Sequence, residues 1–191
     1  MKINNLTKQF SSKVIFDNFS VELQDKKVNY ILGESGVGKT TLLKIIAGLD
    51  KNYKGEIFPS NQKISYVFQE PRLFPNLTVK ENINITSEDS PYNVEALLEM
   101  LELKDEANAL PTTLSGGMKM RIALARALYH NGDVYLMDEP FAALNEELKA
   151  RILPKIFQHL KNKTVIIVSH NFDEANKYAD NILNLDLISK T

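Results

Sequence analysis

Residues 33–41 read GESGVGKTT and follow the apolar run VNYIL directly. The order Gly, four residues, Gly-Lys-Thr is the pattern of a phosphate-binding loop. Backbone N–H groups of Glu34, Ser35, Gly36, Val37, Gly38, Lys39, Thr40 and Thr41 are expected to form a concave nest for phosphate oxygens. Gly33, Gly36 and Gly38 let the backbone approach an anion and adopt positive φ. A helix starting near Lys39 would aim its positive dipole end at the same anion. Lys39 is placed to reach β- and γ-phosphates, and the Thr40 hydroxyl to ligate Mg²⁺. A Gly-rich turn that binds nothing is the plain alternative. A strand before the loop and a helix after it weigh against that alternative.

Two further stretches carry chemistry. In VYLMDEP (134–140) an apolar strand ends at Asp138, a carboxylate expected near the Mg²⁺. Glu139 comes next and is placed to position or deprotonate an attacking water. LSGGM (114–118) opens a helix, with Ser115 as N-cap and Gly116 and Gly117 exposing bare N–H groups. That is a second anion site without a lysine. One nucleotide hardly needs both sites from one chain. The pairing makes sense if the second site completes the pocket of another copy.

These residues need a scaffold. KINNLTKQF, VIFDNFSVEL and KVNYIL read as strands, with turn signals at SSK and QDK. TTLLKIIAGL reads as a helix that Gly48 ends. KISYVF is another strand. Residues 71–113 carry helix signals in TVKENI and VEALLEMLEL and read as an inserted helical subdomain. MKMRIALARALYH is an amphipathic helix, and VYLMD and TVIIVS are buried strands. EELKARILPKIFQHLK is a helix in which Pro154 is placed to cause a kink. FDEANKYAD is a helix, and NILNLDLI closes as a strand. Buried strands alternating with helices predict an α/β fold with a mostly parallel sheet.

The bulk numbers suit this picture. The chain has 191 residues, 43% of them apolar, and a formal net charge of −1. That is enough for one domain with a proper core, and it lacks the basic excess of a nucleic-acid footprint. There is no cysteine, so disulfides and thiolate metal sites are excluded. MKINNLTKQFSS has no signal-peptide character, and no apolar run is long enough to span a bilayer. The chain is expected to be soluble by itself, serving a membrane only by docking. His130 and His159 lie at no metal-like spacing, and the methionines read as core or interface.

In the order GESGVGKT, YVFQEP, LSGG with RIALARAL, VYLMDEP and Ser169-His170, the chain resembles the ATP-binding subunit of ABC transporters along essentially its whole length. The resemblance implies a P-loop core (1–70 and 118–191), an N-terminal antiparallel part and a helical subdomain at about 71–117. It implies Phe10 stacking on adenine, Gln69 touching Mg²⁺, Glu139 as catalytic glutamate and His170 as a switch on the γ-phosphate. It implies ATP and Mg²⁺ bound in a head-to-tail dimer, each ATP between the Lys39 loop of one copy and Ser115, Gly116 and Gly117 of the other. It also implies transmembrane permease partners, a solute-binding protein, and a cytoplasmic place on the inner face of the membrane.

Met118 and the stretch FQEPRLFPNLTVKENI resemble the nitrate, sulfonate and taurine importer branch. Three positions depart from the usual pattern: Met118 and Met120 replace glutamines, and Asn145 replaces an aspartate. Little chain follows the last strand, so no extra regulatory domain is expected. The alternatives are a cassette powering export or envelope mechanics, a non-transport ABC ATPase, and a P-loop kinase, which would not need LSGG.

Overall fold

The computed structural model describes residues 1–11, 13–59, 61–87 and 89–188. Its N-terminal part is an antiparallel sheet of β1 (Lys2–Phe10), β2 (Lys13–Glu22) and β4 (Lys54–Phe58), in the order β2-β1-β4. The first two strands match the expectation; Ser12 of the expected turn lies outside the described residues. No strand is expected at KGEIF. It becomes β4 by pairing along β1, with Ile3 opposite Ile57.

The second sheet comprises β3 (Val28–Leu32), β5 (Ile64–Val67), β6 (Val134–Asp138), β7 (Thr164–Ser169) and β8 (Asn181–Asn184), in the order β5-β6-β7-β3-β8. Every pairing in it is parallel. Each residue of β6 and β7 is buried, as a sheet covered on both faces demands. Side chains alternate between two cores. Ile31, Leu136 and Ile166 face α1 (Lys39–Ile46) and the antiparallel sheet. Tyr30, Met137 and Ile167 face the core that holds most of the helices.

Those helices are α2 (Val79–Asn84), α3 (Val94–Met100), α4 (Gly116–His130) and α5 (Glu146–His159), followed by α6 (Phe172–Tyr178) and α7 (Leu185–Ile188). α2 starts with a reciprocal cap between Thr78 and Glu81. Both α2 and α3 pack on α4. Glu88 of this segment lies outside the described residues. Arg121 of α4 donates to the carbonyls of Leu101 and Glu102 at 2.7 and 2.8 Å. Arg151 of α5 grips the Glu102 carboxylate in a fork at 2.7 and 2.9 Å. One residue after α3 thus joins three helices. α5 runs continuously through Pro154. Among the described residues no helix is long and apolar enough to cross a membrane.

One expectation needs correction. NILNLDLI is a strand only over Asn181–Asn184, and the chain then turns into α7. The strand stops where β3 stops, at the Leu32–Asn184 pair. Asn184 then accepts a hydrogen bond from the Asp186 N–H at 3.0 Å, a local turn that competes with extended chain.

Candidate nucleotide site

The phosphate loop joins β3 to α1. Gly38 is the N-cap of α1, and no side chain caps the helix. The first N–H groups therefore remain available to an external acceptor. Gly38 has φ +115°, and a Cβ there would stand 2.6 Å from Ile15 Cγ2 and 2.9 Å from Phe16 Cζ. Only glycine meets both demands. Lys39 donates to the carbonyls of Gly33 (2.6 Å) and Glu34 (3.0 Å). Its ammonium is folded back into its own loop and poised at the cleft.

A cleft of about 890 Å³ opens over the loop, within the roughly 300–1,000 Å³ usual for small-molecule sites. Ser35, Gly36, Gly38, Lys39, Thr40 and Thr41 form its floor. The expected nest is narrower than the full loop. The Glu34 N–H donates to the Asp186 carboxylate at 3.0 and 3.1 Å, and Gly33, Glu34 and Val37 do not line the cleft. The chain's own carboxylate has taken that amide.

Asp138 and Glu139 close one wall. The Thr40 hydroxyl donates to Asp138 Oδ1 at 3.1 Å. Burial pushes the Asp138 carboxyl above the ordinary aspartate range, while the Thr40 hydrogen bond pulls it the other way. A nearby cation would offset that burial. Gln69 lines the same cleft. The described residues contain no group of three or more His, Asp or Glu placed to hold a metal. A Mg²⁺ that keeps its waters and takes phosphate oxygens needs only one or two protein oxygens. Thr40 and Asp138, with Gln69 near, fit that role.

Glu139 adopts φ +48°, and its N–H donates to Val168 O at 3.0 Å across to β7. A non-glycine residue in that region is uncommon, and here it turns the side chain off the end of β6. His170 follows the end of β7. Its Nδ1–H donates to Glu139 Oε1 at 2.9 Å, and Ser169 Oγ stands 3.5 Å from Oε2. Parallel pairing of β6 with β7 brings together two residues 31 apart in sequence.

Phe10, expected to stack on a base, ends β1 half-exposed and outside the cleft lining. Lys8 Nζ lies 4.4 Å from its ring centroid. Ser115 caps α4 by accepting from the Met118 N–H at 3.3 Å. Neither it nor Gly116 nor Gly117 lines the cleft. A Cβ at Gly117 would come 3.0 Å from the Ala143 carbonyl. The opening of α4 therefore packs behind a cleft wall and presents Ser115 and Gly116 outward. Asn145 caps α5, accepting from the Leu148 N–H at 2.9 Å, a task asparagine and aspartate perform about equally.

Sequence reasoning missed Ile15, Met120 and Asp186. Ile15 and Met120 line the cleft. The departure of Met120 from the usual glutamine was legible, but its place on the cleft wall was not.

The ABC transporter family model matches residues 16–142. The chain is 38% identical to the aliphatic sulfonates import ATP-binding protein SsuB 2 of Pseudomonas syringae pv. tomato, over 92% of this chain and 78% of that one. It is 35% identical to the Fe(3+) ions import ATP-binding protein FbpC 2 of Haemophilus influenzae, over 95% of this chain and 58% of that one. The dimeric structure of MJ0796, a bacterial ABC transporter cassette, superposes with a TM-score of 0.85 at 30% identity, covering 96% of this chain and 94% of that one. A post-hydrolysis state of the same cassette, bound to ADP and Pi, superposes with a TM-score of 0.83 at 30% identity, covering 96% of this chain and 93% of that one. The chain belongs to the ABC transporter family, as one of its ATP-binding, ATP-hydrolysing cassettes.

Proposed function

We propose that this chain is the ATPase subunit of an importer for a small solute, driving a membrane permease from the inner face of the membrane. One observation carries the reading. The cleft holds Lys39, Asp138, Glu139 and His170 in one wall-and-floor arrangement, while Ser115, Gly116 and Gly117 stand outside it. A nucleotide lying on the loop leaves its outer side free. The unlined serine-glycine start of a second copy, with N–H groups exposed, is the surface that would cover it. The import direction rests on relatives named as import proteins for sulfonates and for Fe(3+) ions.

In this reading the loop amides and Lys39 neutralise the phosphates, Lys39 exchanging its two backbone carbonyls for phosphate oxygens. Thr40, Asp138 and Gln69 would hold Mg²⁺, which would supply positive charge to offset that developing on the phosphates. Glu139 orients the water and accepts its proton. Releasing His170 from Glu139 frees the imidazole to meet the γ-phosphate. Ile15 supplies apolar contact near the base, with Phe10 close by in β1. Residues 71–117 form the helical subdomain that meets the permease, and 1–70 with 118–191 form the core. A solute-binding protein would feed the permease.

The chain has no cysteine, so an introduced pair is unambiguous. Ser35→Cys and Ser115→Cys in a Glu139→Gln background are expected to form a disulfide between two chains with Mg-ATP and not without nucleotide. Absence of that crosslink at saturating Mg-ATP overturns the shared site.

A further inference from the structure

The peptide unit between Gly33 and Glu34 is gripped from both ends. On its carbonyl side, Lys39 Nζ donates to Gly33 O at 2.6 Å. On its amide side, the Glu34 N–H donates to both oxygens of Asp186, at 3.1 and 3.0 Å. A cation and an anion 147 residues apart in sequence thus face each other through one polarised peptide. Hydrogen bonds in such a chain strengthen one another, and both outer members are ionic, the stronger kind of hydrogen bond.

The surroundings hold Asp186 in place. Pairing of β8 with β3 runs to the Leu32–Asn184 pair, so the chain leaves the sheet beside the start of the phosphate loop. Leu185 is 1% exposed and anchors the turn in the core. Asn184 accepts from the Asp186 N–H at 3.0 Å and sets the direction of the carboxylate. Residue 33 leaves room for it: a Cβ there would stand 3.3 Å from Asp186 Oδ1 and 2.9 Å from Val37 Cγ1.

We propose that Asp186 is a positioning residue for nucleotide binding, holding the Gly33–Glu34 peptide so that the loop keeps its open shape when Lys39 leaves the Gly33 carbonyl for the phosphates. Asp186 touches no nucleotide in this assignment. It acts through the peptide on Lys39 and on the loop that follows. Without its carboxylate, the 33–34 peptide loses its amide-side hold, and once Lys39 moves to the phosphates part of the binding energy of the incoming triphosphate goes into ordering the loop. Affinity then falls while the chemical step at Glu139 is untouched. The inference rests on the ATPase reading above.

The test uses the full chain and three forms: parent, Asp186→Ala and Asp186→Asn. Steady-state hydrolysis of Mg-ATP gives KM and kcat, and titration with a fluorescent ATP analogue gives affinity. Asp186→Ala is expected to raise KM and the dissociation constant about five- to tenfold with kcat within twofold of the parent. Those factors correspond to losing one charge-assisted hydrogen bond, partly offset by water. Asp186→Asn keeps one acceptor oxygen and is expected to recover part of the loss. Thermal melts without nucleotide separate this from a folding defect. Should Asp186→Ala melt below the assay temperature, Asp186→Asn decides on the same KM and kcat split. Unchanged KM in both variants, or a fall in kcat at constant KM, overturns the proposal. A parent that neither binds nor hydrolyses ATP would instead refute the ATPase reading.

Discussion

Glu139 Oε1 lies 2.9 Å from His170 Nδ1, each residue standing one position past the end of its strand. The two strands are parallel neighbours, with Asp138 opposite Val168. The two groups proposed to meet the water and the γ-phosphate are therefore hydrogen-bonded to each other in this structure. In the proposed mechanism an incoming γ-phosphate and its water separate them. This gives the pair the character of a latch set by sheet register, and the consequence begins with Glu139.

Glu139→Gln preserves shape and hydrogen bonding but removes the carboxylate proposed to accept the proton. Turnover at saturating Mg-ATP is expected to fall about a hundredfold or more, with ATP still bound and the dimer trapped. Phosphate release and gel filtration with Mg-ATP measure the two effects. Turnover at the parent rate would show that another group handles the water.

Lys39→Ala removes the buried ammonium held by the Gly33 and Glu34 carbonyls. Charged hydrogen bonds are worth about 1.5–3 kcal/mol, so ATP affinity is expected to weaken roughly ten- to a hundredfold. Nucleotide titration reads this directly. Affinity within twofold of the parent would mean that Lys39 stays on its backbone carbonyls when the nucleotide binds.

Gly38→Ala meets two obstacles. The left-handed backbone costs roughly 1–2 kcal/mol, and the new methyl would lie 2.6 Å from Ile15 Cγ2. Gly36→Ala carries the first cost alone, since nothing lies within 4 Å of its Cβ position. The melting temperature of Gly38→Ala is therefore expected to fall further than that of Gly36→Ala, with weaker ATP binding. Equal melting temperatures would show that β2 yields easily around Ile15.

Lys8 is 2% exposed, and its ammonium is held by Asp50 Oδ1 at 2.9 Å and Asn52 O at 2.7 Å. Asp50→Asn leaves a buried charge without its counter-charge and is expected to destabilise the fold by about 3–5 kcal/mol. The Lys8 hydrogen bond holds the Asp50 carboxyl below the ordinary aspartate range. Its stabilisation is present above the unfolded value of 3.8 and is lost as pH falls through the lower folded value. Denaturant melts at neutral pH and in acid check both parts. A parent-like midpoint in Asp50→Asn at neutral pH would contradict the first.

Glu174 is 8% exposed; Tyr30 donates to it at 3.2 Å and Lys149 Nζ stands 3.5 Å away. Burial pushes its carboxyl up, against the pull of Lys149 and the Tyr30 hydroxyl. A raised folded value means the contribution is complete below the unfolded value of 4.5 and fades as pH rises through the folded value. Glu174→Gln cannot titrate. Relative to the variant, the parent is expected to lose melting temperature as pH rises from 4.5 toward neutrality. A constant difference across that range would contradict the assignment.

The loop, strand end and helix start proposed to carry the chemistry were legible because each motif is local. GESGVGKT sets its loop through backbone demands at Gly38 and the start of α1. VYLMDEP announces a strand buried on both faces with acids at its end. Ser115 and Asn145 each cap the helix that follows them, as short polar side chains do. The helix and strand assignments failed where pairing, rather than local pattern, made the element. KGEIF became a strand only beside β1, and NILNLDLI was cut short where its partner β3 ended.

By itself the sequence determined the phosphate loop, the acidic strand end, the serine-glycine helix start and the α/β alternation that carries them. Only the tertiary structure decided that Asp186 takes the Glu34 amide, that Ile15 and Met120 wall the cleft, and that Glu139 meets His170. The reason is physical. A motif encodes what a few consecutive residues can do, whereas strand order and register decide which distant side chains come within hydrogen-bond reach.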